Sequence, residues 1–323
     1  HALVLPPGAV GAGVVETLEK PGATWAKDTD SYVRAVFDQP NTATDQFFGS
    51  DVAMTDTWLA VGVKQDGQKG STAGAVYMYR NIGGVWTPHS KLTALYGQPG
   101  DFFGTAVAIS GTRLIVGAPG FDGFPTFIDN AGAVYLYEFI GTTWVQSVER
   151  TSPNAEVNGN FGESVDFHGD VIVAGAPDEN GGRGRAYAYR DLTTLTSPIT
   201  LAIAGASPSS GTAISVSVYD PAPGTPNDEV IALGAYNENS SQGAAYVLSG
   251  ATFSTVTTLV DPSPGTGRFF GLSVSIFNGR VAVGAPTGSS APSGRVVVFS
   301  GSGYSTADTM VPYVGGQGDT SLT

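Results

Sequence analysis

A Phe-Gly phrase recurs along the chain at nearly constant spacing, and this repeat constrains the fold more than any other feature. The phrase is often preceded by a second Phe, and it is degenerate in one copy. The copies are Phe47-Phe48-Gly49, Phe102-Phe103-Gly104, Phe161-Gly162, Thr212-Ala213 and Phe269-Phe270-Gly271. Aligned on the Gly, or on Ala213, successive copies are 55, 58, 51 and 58 residues apart. A fixed period of this length predicts an array of similar structural units.

Two further phrases follow each Phe-Gly. The first lies about twelve residues later and is Gly-Ala-Pro in three copies, at Gly117, Gly175 and Gly284, with variants that open at Gly62 and Gly234. The second is Gly-x-(Val/Ala)-Tyr-x-Tyr in its best form, and its copies open at Gly74, Gly132, Gly184, Gly243 and Gly294. Gly beside the Phe and before Ala-Pro is expected to allow close backbone approach between units.

The phrases divide each unit into four short β-rich runs. In the second unit these runs are Ala106–Ile109, Leu114–Val116, Val134–Tyr137 and Trp144–Val145. Gly, Asn, Asp and Ser turns separate them, and no segment shows a sustained 3.6-residue period. Four strands in a repeat of about 50 residues are typical of propeller blades rather than of a sandwich.

The two ends of the chain align with complementary parts of one more repeat. Residues 2–7 align with Leu114–Pro119, residues 12–15 align with Ala131–Val134, and residues 316–323 align with the approach to a first strand. The sequence therefore predicts an all-β fold, a six-bladed β-propeller of four-stranded blades, closed by the C-terminal strand joining the N-terminal blade. The alternative is a longer array cut in mid-repeat. The expected blades of this single domain, 1–323, start near residues 46, 101, 160, 212 and 268, with the sixth shared by residues 1–45 and 316–323.

Charge and composition exclude several classes of function. The formal net charge is −13, and no basic run exists, which excludes nucleic acid and anionic membranes as partners. The absence of cysteine excludes disulfides and thiolate chemistry. No apolar run approaches the length of a transmembrane helix. Low Lys, high Gly, Ser, Thr and Asn, and the acidic balance indicate an extracellular protein, secreted or at the cell surface.

With the Phe-Gly and Gly-Ala-Pro phrases in register several times, the chain resembles the FG-GAP repeat family. That family includes the ligand-binding heads of integrin α-subunits and at least one fungal lectin. The resemblance spans essentially the full chain and is strongest in the repeats that begin near Phe102, Phe161 and Phe269. It implies a propeller whose loops between strands two and three, and between strands four and one, form the ligand-binding face.

The resemblance also implies calcium in the loops between strands one and two, but here the sequence departs from the family. Calcium takes six to eight oxygen ligands, so such a loop must present several carboxylates. Four of the equivalent loops are tight turns with too few ligands, around Asp56, Gly111, Gly169 and Asn278. Only the loop from Asp220 to Asp228 is long enough, and its spacing differs from the family pattern. We expect no cofactor, and the alternative is one calcium ion in this loop, for which Asp220 and Asp228 are the candidate ligands.

Candidate ligand-binding residues lie in the loops between strands two and three. The loop after Pro119 holds three aromatic residues, which indicate either recognition of a ligand or packing over the channel mouth or a neighbouring blade. The matching loops are acidic and amide-rich, which suits sugar hydroxyls or cationic groups, although solvated turns are the alternative. The candidates are Asp66, Phe121, Asp122, Phe124, Phe127, Asp129, Asp178, Glu179, Asn180, Arg183, Asn237 and Glu238. In addition, Asn239-Ser240-Ser241 is a glycosylation sequon.

An enzyme would need titratable groups that converge in a pocket. The predicted first strands are small and apolar apart from Asp51, Glu163 and Asp166, and the chain has three His. We therefore expect a non-catalytic, monomeric adhesion module of integrin-like type that binds a protein partner through one propeller face. A carbohydrate-binding lectin is the alternative, and a polysaccharide-active enzyme is a lesser one. A lectin should show similar pockets between blades, whereas these loops differ in length and chemistry.

Overall fold

Strands follow the predicted β-rich runs in the computed structural model, which describes residues 47–123, 127–225, 227–286 and 294–310 and the strands at 14–19 and 33–38. Five four-stranded antiparallel sheets follow one another along the chain. The first consists of β3 Phe48–Met54, β4 Trp58–Val63, β5 Ala75–Ile82 and β6 Val85–Leu92. The second consists of β7 Ala106–Ser110, β8 Arg113–Ala118, β9 Ala133–Ile140 and β10 Thr143–Thr151.

The other three sheets repeat this arrangement. The third consists of β11 Ser164–His168, β12 Val171–Ala176, β13 Arg185–Tyr189 and β14 Ile199–Leu201. The fourth consists of β15 Thr212–Tyr219, β16 Val230–Ala235, β17 Ala244–Ser249 and β18 Thr255–Leu259. The fifth consists of β19 Ser273–Phe277, β20 Arg280–Ala285, β21 Arg295–Ser300 and β22 Thr306–Met310. Within each sheet the strands pair in chain order, and the first strands of successive sheets contact one another. This is the order expected of propeller blades.

Two further strands precede the five sheets. β1 Val14–Glu19 and β2 Val33–Asp38 pair antiparallel, and β1 contacts β3. β1 begins where the alignment of the N-terminus predicts the third strand of a blade. The other parts of the predicted sixth blade, including its C-terminal strand, lie outside the described residues.

Helix is almost absent from the described residues. It consists of two four-residue turns, α1 Glu179–Gly182 and α2 Glu238–Ser241, and a 3₁₀ turn at Ser302–Tyr304. Within the described chain, no helix is long and apolar enough to cross a membrane.

Glycines of the repeated phrases let adjacent sheets approach within backbone contact. A β-carbon on Gly117 would overlap the carbonyl oxygen of Gly162 in the next sheet, and one on Gly132 would overlap the carbonyl oxygen of Phe161. The same relation joins Gly62 to Gly104 and Gly234 to Gly271. The predicted close approach is therefore confirmed, and it explains why the second and third phrases both carry Gly.

The phenylalanine and tyrosine rings of the phrases form the core. Phe103 and Phe161 are fully buried, and each packs edge-to-face on the first Tyr of the third phrase, at 5.3 Å from Tyr135 and 5.4 Å from Tyr187 between ring centroids. Such pairs contribute about 0.5–1.5 kcal/mol beyond the area that they bury. In the degenerate copy, Ala213 takes the place of the Gly and keeps its left-handed backbone, with φ 70°.

Candidate functional site

A cleft of about 310 Å³ opens at the end of the sheets where the Gly-Ala-Pro phrases lie, and residues from four consecutive sheets line it. Its apolar walls are formed by Phe102, Pro119, Pro177 and Ile214. Its polar lining includes Lys64, Asn130, Asn160, Glu163 and Asp178.

The repeat delivers these residues to one place because they occupy equivalent positions. Pro119 and Pro177 are the last residues of Gly-Ala-Pro phrases, and Lys64 stands at that position in the first sheet. Glu163 and Ile214 each directly follow the glycine position of a Phe-Gly phrase. The cleft thus combines residues that follow the repeat, such as Pro119 and Pro177, with residues that vary at equivalent positions, such as Lys64, Glu163 and Ile214.

Charges and amides are arranged asymmetrically in the cleft. Burial raises the pKa of Glu163, the nearby charge of Asp178 raises it further, and the charge of Lys64 opposes both effects. The Nδ2 of Asn160 donates to the Oδ2 of Asp178 at 2.7 Å. Two carboxyl groups therefore face one ammonium group, beside apolar walls. This arrangement suits a cationic group carried on an aliphatic stem.

Four of the predicted binding residues lie inside the loops instead of on their surface. Asp66, Phe121, Glu179 and Glu238 occupy the same position, four residues after the glycine that opens the second phrase, and all are buried. Surface contact with a ligand does not fit this burial. Each side chain instead packs beside the first Tyr of the third phrase in its own sheet.

The partners of the buried acids show what holds them. Glu179 accepts hydrogen bonds from the hydroxyls of Ser152 and Tyr187, and its Oε2 lies 3.5 Å from Nη1 of Arg185. Its pKa is raised because burial outweighs these partners. Asp66 pairs with Lys91 at 2.7 Å.

The fourth and second sheets differ at this position. Glu238 accepts from the amide of Ser207 at 3.1 Å and from its hydroxyl. In the second sheet Phe121 replaces the acid and lies edge-to-face on Tyr135 at 6.4 Å. These contacts give the buried residues a structural role.

In the third and fourth sheets the loop between strands two and three contacts the loop that leads into the sheet, and we call this contact, with its equivalent in the other sheets, the junction. In the fifth sheet the buried carboxylate lies in the loop that leads into the sheet. Asp261, in the loop that leads into this sheet, binds Arg295, and the Nε of Arg268 lies 4.0 Å from its Oδ2. Asp261 aligns with Ser152 and Ser207, which are the partners of the acids in the third and fourth sheets. The junction of the fifth sheet therefore also contains a buried carboxylate, but the opposite loop supplies it.

The remaining predicted residues are exposed or partly exposed, with one exception. Phe127 is 70% exposed. Asp178 lines the cleft, and the Oδ1 of Asp122 accepts from the amide of Asn130, which also lines it. The other members of this exposed set are Asp129, Asn180, Arg183 and Asn237. Phe124 lies outside the described residues. That any of these residues binds a ligand stays a prediction.

Lys64, Asn130 and Asn160 were missed as candidates by sequence reasoning. A signal was present for two of them. Lys64 replaces the Pro of the second phrase, and Asn160 stands where three other repeats have their first Phe. Asn160 has φ 54°, and Phe102 at the equivalent position also has φ 54°, so this position demands a left-handed backbone. Asn tolerates that conformation better than Phe does.

Two of the three predicted first-strand carboxylates, Asp51 and Asp166, are engaged by the backbone. Asp51 accepts from the amide of Val52 at 2.9 Å and from that of Val107, in the next sheet, at 2.8 Å. Asp166 accepts from the amide of Val218, again in the next sheet, at 2.7 Å. Burial raises the pKa of both, that of Asp51 to about 6. Both side chains connect adjacent sheets.

The metal candidates do not fit calcium. The Oδ2 of Asp220 accepts from the amide of Asp170 at 3.2 Å, and its Oδ1 accepts from that of Ala222 at 3.1 Å. One oxygen of Asp228 is buried without a hydrogen-bond partner. In the described part of the chain, no three His, Asp or Glu side chains form a metal-binding group. Both oxygens of Asp220 thus already accept backbone hydrogen bonds, and among the described residues no cluster of acidic side chains offers the six to eight oxygens of a calcium shell.

A sequence profile of the FG-GAP repeat matches residues 39–79 and 86–137. Residues 39–137 carry FG-GAP repeats. The matched stretches cover the first sheet and the second sheet as far as its third strand, and similar phrases recur in the other three sheets. No curated protein sequence matches the chain.

A solved structure with a similar fold supports a β-propeller. Sqt1 from Chaetomium thermophilum, a WD40-type propeller, superposes with a TM-score of 0.51 and 13% sequence identity. The likeness covers 92% of this chain and 66% of Sqt1. At this identity the likeness concerns the fold alone.

Proposed function

We propose that this FG-GAP propeller is an extracellular, monomeric, non-catalytic module that binds a protein ligand through the loops at its Gly-Ala-Pro end. The cleft between the first four sheets carries this proposal. It is an open concavity with apolar walls and a few convergent polar groups, which is the usual form of a binding site.

The chemistry of the cleft favours a cationic side chain of the ligand. The hydrocarbon stem of a Lys or Arg side chain would lie against Pro119, Pro177 and Phe102. Its charged end would lie near Glu163 and Asp178, where Lys64 offsets only part of the negative charge. The net charge of −13 steers cationic surfaces toward the protein.

The state of two of the three first-strand carboxylates supports a non-catalytic role. Asp51 and Asp166 use their oxygens to accept backbone amides from two sheets at once. A general acid or base must reach a substrate proton, and these oxygens are held between sheets instead. A lectin remains the alternative, and we treat it as an outcome of the test.

The test is selection of binders from a library of displayed cyclic peptides on the purified protein. We expect enriched peptides to carry a basic residue. The double variant Glu163→Gln, Asp178→Asn should weaken their binding at least tenfold, about 1.4 kcal/mol. The matched control is Asp170→Asn, which removes an exposed charge at the opposite end of the sheets. The control should bind the peptides unchanged.

Two results would overturn the proposal. In one, the selected peptides bind the double variant and the parent equally. In the other, no peptide is enriched while a glycan array, probed with calcium and again with chelator, shows binding to a related set of sugars. The second result would establish the lectin alternative.

We also propose that a sixth blade covers the open face of the fifth sheet. Ser164 and Ser215 donate to carbonyl groups of the next sheet, at 2.8 and 3.3 Å, and Ser273 is their equivalent in the fifth sheet. Ser217 accepts from the amide of Ile276, and Ser275 is its equivalent. The fifth sheet thus presents the same groups, with Phe277 65% exposed beside them. Residues 1–46 and 311–323 are the part of the chain that we assign to this face.

A further inference from the structure

Two loops of the ligand-binding end share one unusual backbone. α1 and α2 occupy equivalent positions in the third and fourth sheets, and each contains three consecutive residues in the left-handed region. In α1 these residues are Asn180, Gly181 and Gly182, with φ 59°, 65° and 77°. In α2 they are Asn239, Ser240 and Ser241, with φ 50°, 59° and 64°.

The two turns differ in the conformational strain that this left-handed backbone imposes. Gly adopts positive φ without strain, whereas a residue with a side chain is strained there. α1 uses Gly at its last two positions, and α2 places Ser at both. The hydroxyl of Ser241 donates to the Oδ1 of Asn237 at 2.6 Å, which offsets part of the strain at Ser241 only. α2 therefore carries strain that α1 avoids with the same backbone, and such strain points to a role other than stabilising the fold.

The residues of α2 supply such a role. Asn239-Ser240-Ser241 is the only Asn-x-Ser/Thr sequence among the 323 residues. Asn239 and Ser240 are exposed at the tip of the turn, so a large group on Asn239 would extend into solvent. The strained Ser241 is the residue that completes the sequon, and the Gly of α1 could not complete one.

We propose that Asn239 is an N-glycosylation site. In this reaction the Nδ2 of Asn239 attacks the anomeric carbon of the first sugar of a lipid-diphosphate-linked oligosaccharide. A C–N bond forms, the bond from that carbon to the phosphate oxygen breaks, the lipid diphosphate leaves, and Nδ2 loses one proton. The proposal rests on the secretory route inferred above, and it does not depend on the kind of ligand that the cleft binds.

A glycan on α2 would limit the ligand-binding face on one side. Lys64, Asn130 and Glu163 belong to the first three sheets, and of the fourth sheet only Ile214 lines the cleft. The glycan therefore shields the loop of the fourth sheet and leaves the approach over the first three sheets open.

The test is secretion of the full chain from a eukaryotic cell line, followed by peptide mapping with and without peptide N-glycosidase. We expect one glycan, located on Asn239, and its loss in Asn239→Gln and in Ser241→Gly. Ser241→Thr should keep it. The matched variant Gly182→Ser completes a second sequon in α1, at Asn180. A β-carbon on Gly182 would lie 3.3 Å from the Cα of Ser209, a tight contact at φ 77°, so the urea midpoint of the secreted variant is measured beside the parent's to show that it folds.

Two results would overturn the proposal. A secreted protein whose Asn239 is unmodified, while Gly182→Ser acquires a glycan at Asn180, shows that the enzyme reaches the sibling turn but does not use Asn239. Absence of glycan from both sequons shows that these turns are not modified at all. Neither result bears on peptide binding by the cleft, so this test and the test of function fail independently.

Discussion

At the scale of single residues, the burial of the acids follows from their position in the repeat and not from the hydrophilic character of their side chains. Asp66, Glu179 and Glu238 are hydrophilic residues in Gly- and Asn-rich loops, which is why sequence reasoning assigned them to the surface. Their shared register, opposite the first Tyr of the third phrase, was visible in the sequence and indicates a common partner. The bonds from Ser152 and Ser207 could not be predicted, because the loops that carry these residues differ in length.

Glu179 offers the sharpest test of this structural role. Glu179→Ala leaves the hydroxyls of Ser152 and Tyr187 and the guanidinium of Arg185 without their common partner. We expect it to lower the free energy of unfolding by about 3 kcal/mol, measured by urea denaturation. The control is Asp178→Ala, at the exposed position next to it, which should change the free energy by about 0.5 kcal/mol. Equal losses in the two variants would contradict a buried role for Glu179.

At the scale of elements, the repeated phrases predict the strands and the close approach of adjacent sheets, but they do not predict the path of the loops. The strands appear where the phrases place them, because β-rich runs and turn residues are local signals. The loops between strands two and three are different. Their path depends on which side chain fills the buried position, and Phe121 and Glu179 fill it with different chemistry. This is why the strands could be predicted and the cleft could not.

Two glycine variants separate the steric cost of a β-carbon between adjacent sheets from the cost of backbone strain. Gly117→Ala would force a β-carbon onto the carbonyl oxygen of Gly162, and we expect a loss of about 3 kcal/mol or more. Gly141 has φ 65° and open space around it, so Gly141→Ala carries only the conformational cost of about 1 kcal/mol. Thermal or urea unfolding of both variants measures the difference. A Gly117→Ala protein as stable as Gly141→Ala would show that the sheets can separate without loss.

At the scale of the whole molecule, several carboxyl groups have a raised pKa and make stability depend on pH. Burial is the main cause at Asp51 and Asp101, and it raises the pKa of both to about 6. An unfolded Asp has a pKa of about 3.9, so between about pH 4 and pH 6 the folded protein binds more protons than the unfolded chain. The free energy of unfolding should therefore fall as the pH rises through this window.

Urea unfolding at about pH 4.5, 5.5 and 7 measures this dependence, and we expect the highest stability at the acidic end. Below about pH 4 the trend should reverse, because Glu156 and Glu229 have lowered pKa values and lose their partners on protonation. Asp51→Asn should flatten the slope between pH 4.5 and 7, whereas Asp170→Asn serves as the exposed control. Stability that rises from pH 4.5 to 7 would contradict the burial of these acids.

The proposed sixth blade makes a second prediction at this scale. A chain that ends at residue 310 would leave Ser273, Ser275 and Phe277 without the partners assigned to them. Each hydrogen bond that the sixth blade would make to these serines contributes about 1 kcal/mol. We expect a lower urea midpoint than for the full chain, and partial recovery when a peptide of residues 311–323 is added, since binding to the folded state alone stabilises it. An unchanged midpoint would assign the face of the fifth sheet to something else.

The position of the buried carboxylate in the fifth sheet has a consequence for how the repeat units can vary. Asp261 and Glu179 come from opposite partners of their respective junctions, yet each junction retains a buried carboxylate. A compensation of this kind involves only two neighbouring sheets, and the sheets further along the chain need not change. One unit can therefore vary together with its neighbour while the other sheets keep their contacts. The loops around the cleft, which differ in length and chemistry, show how far the units of one chain have diverged.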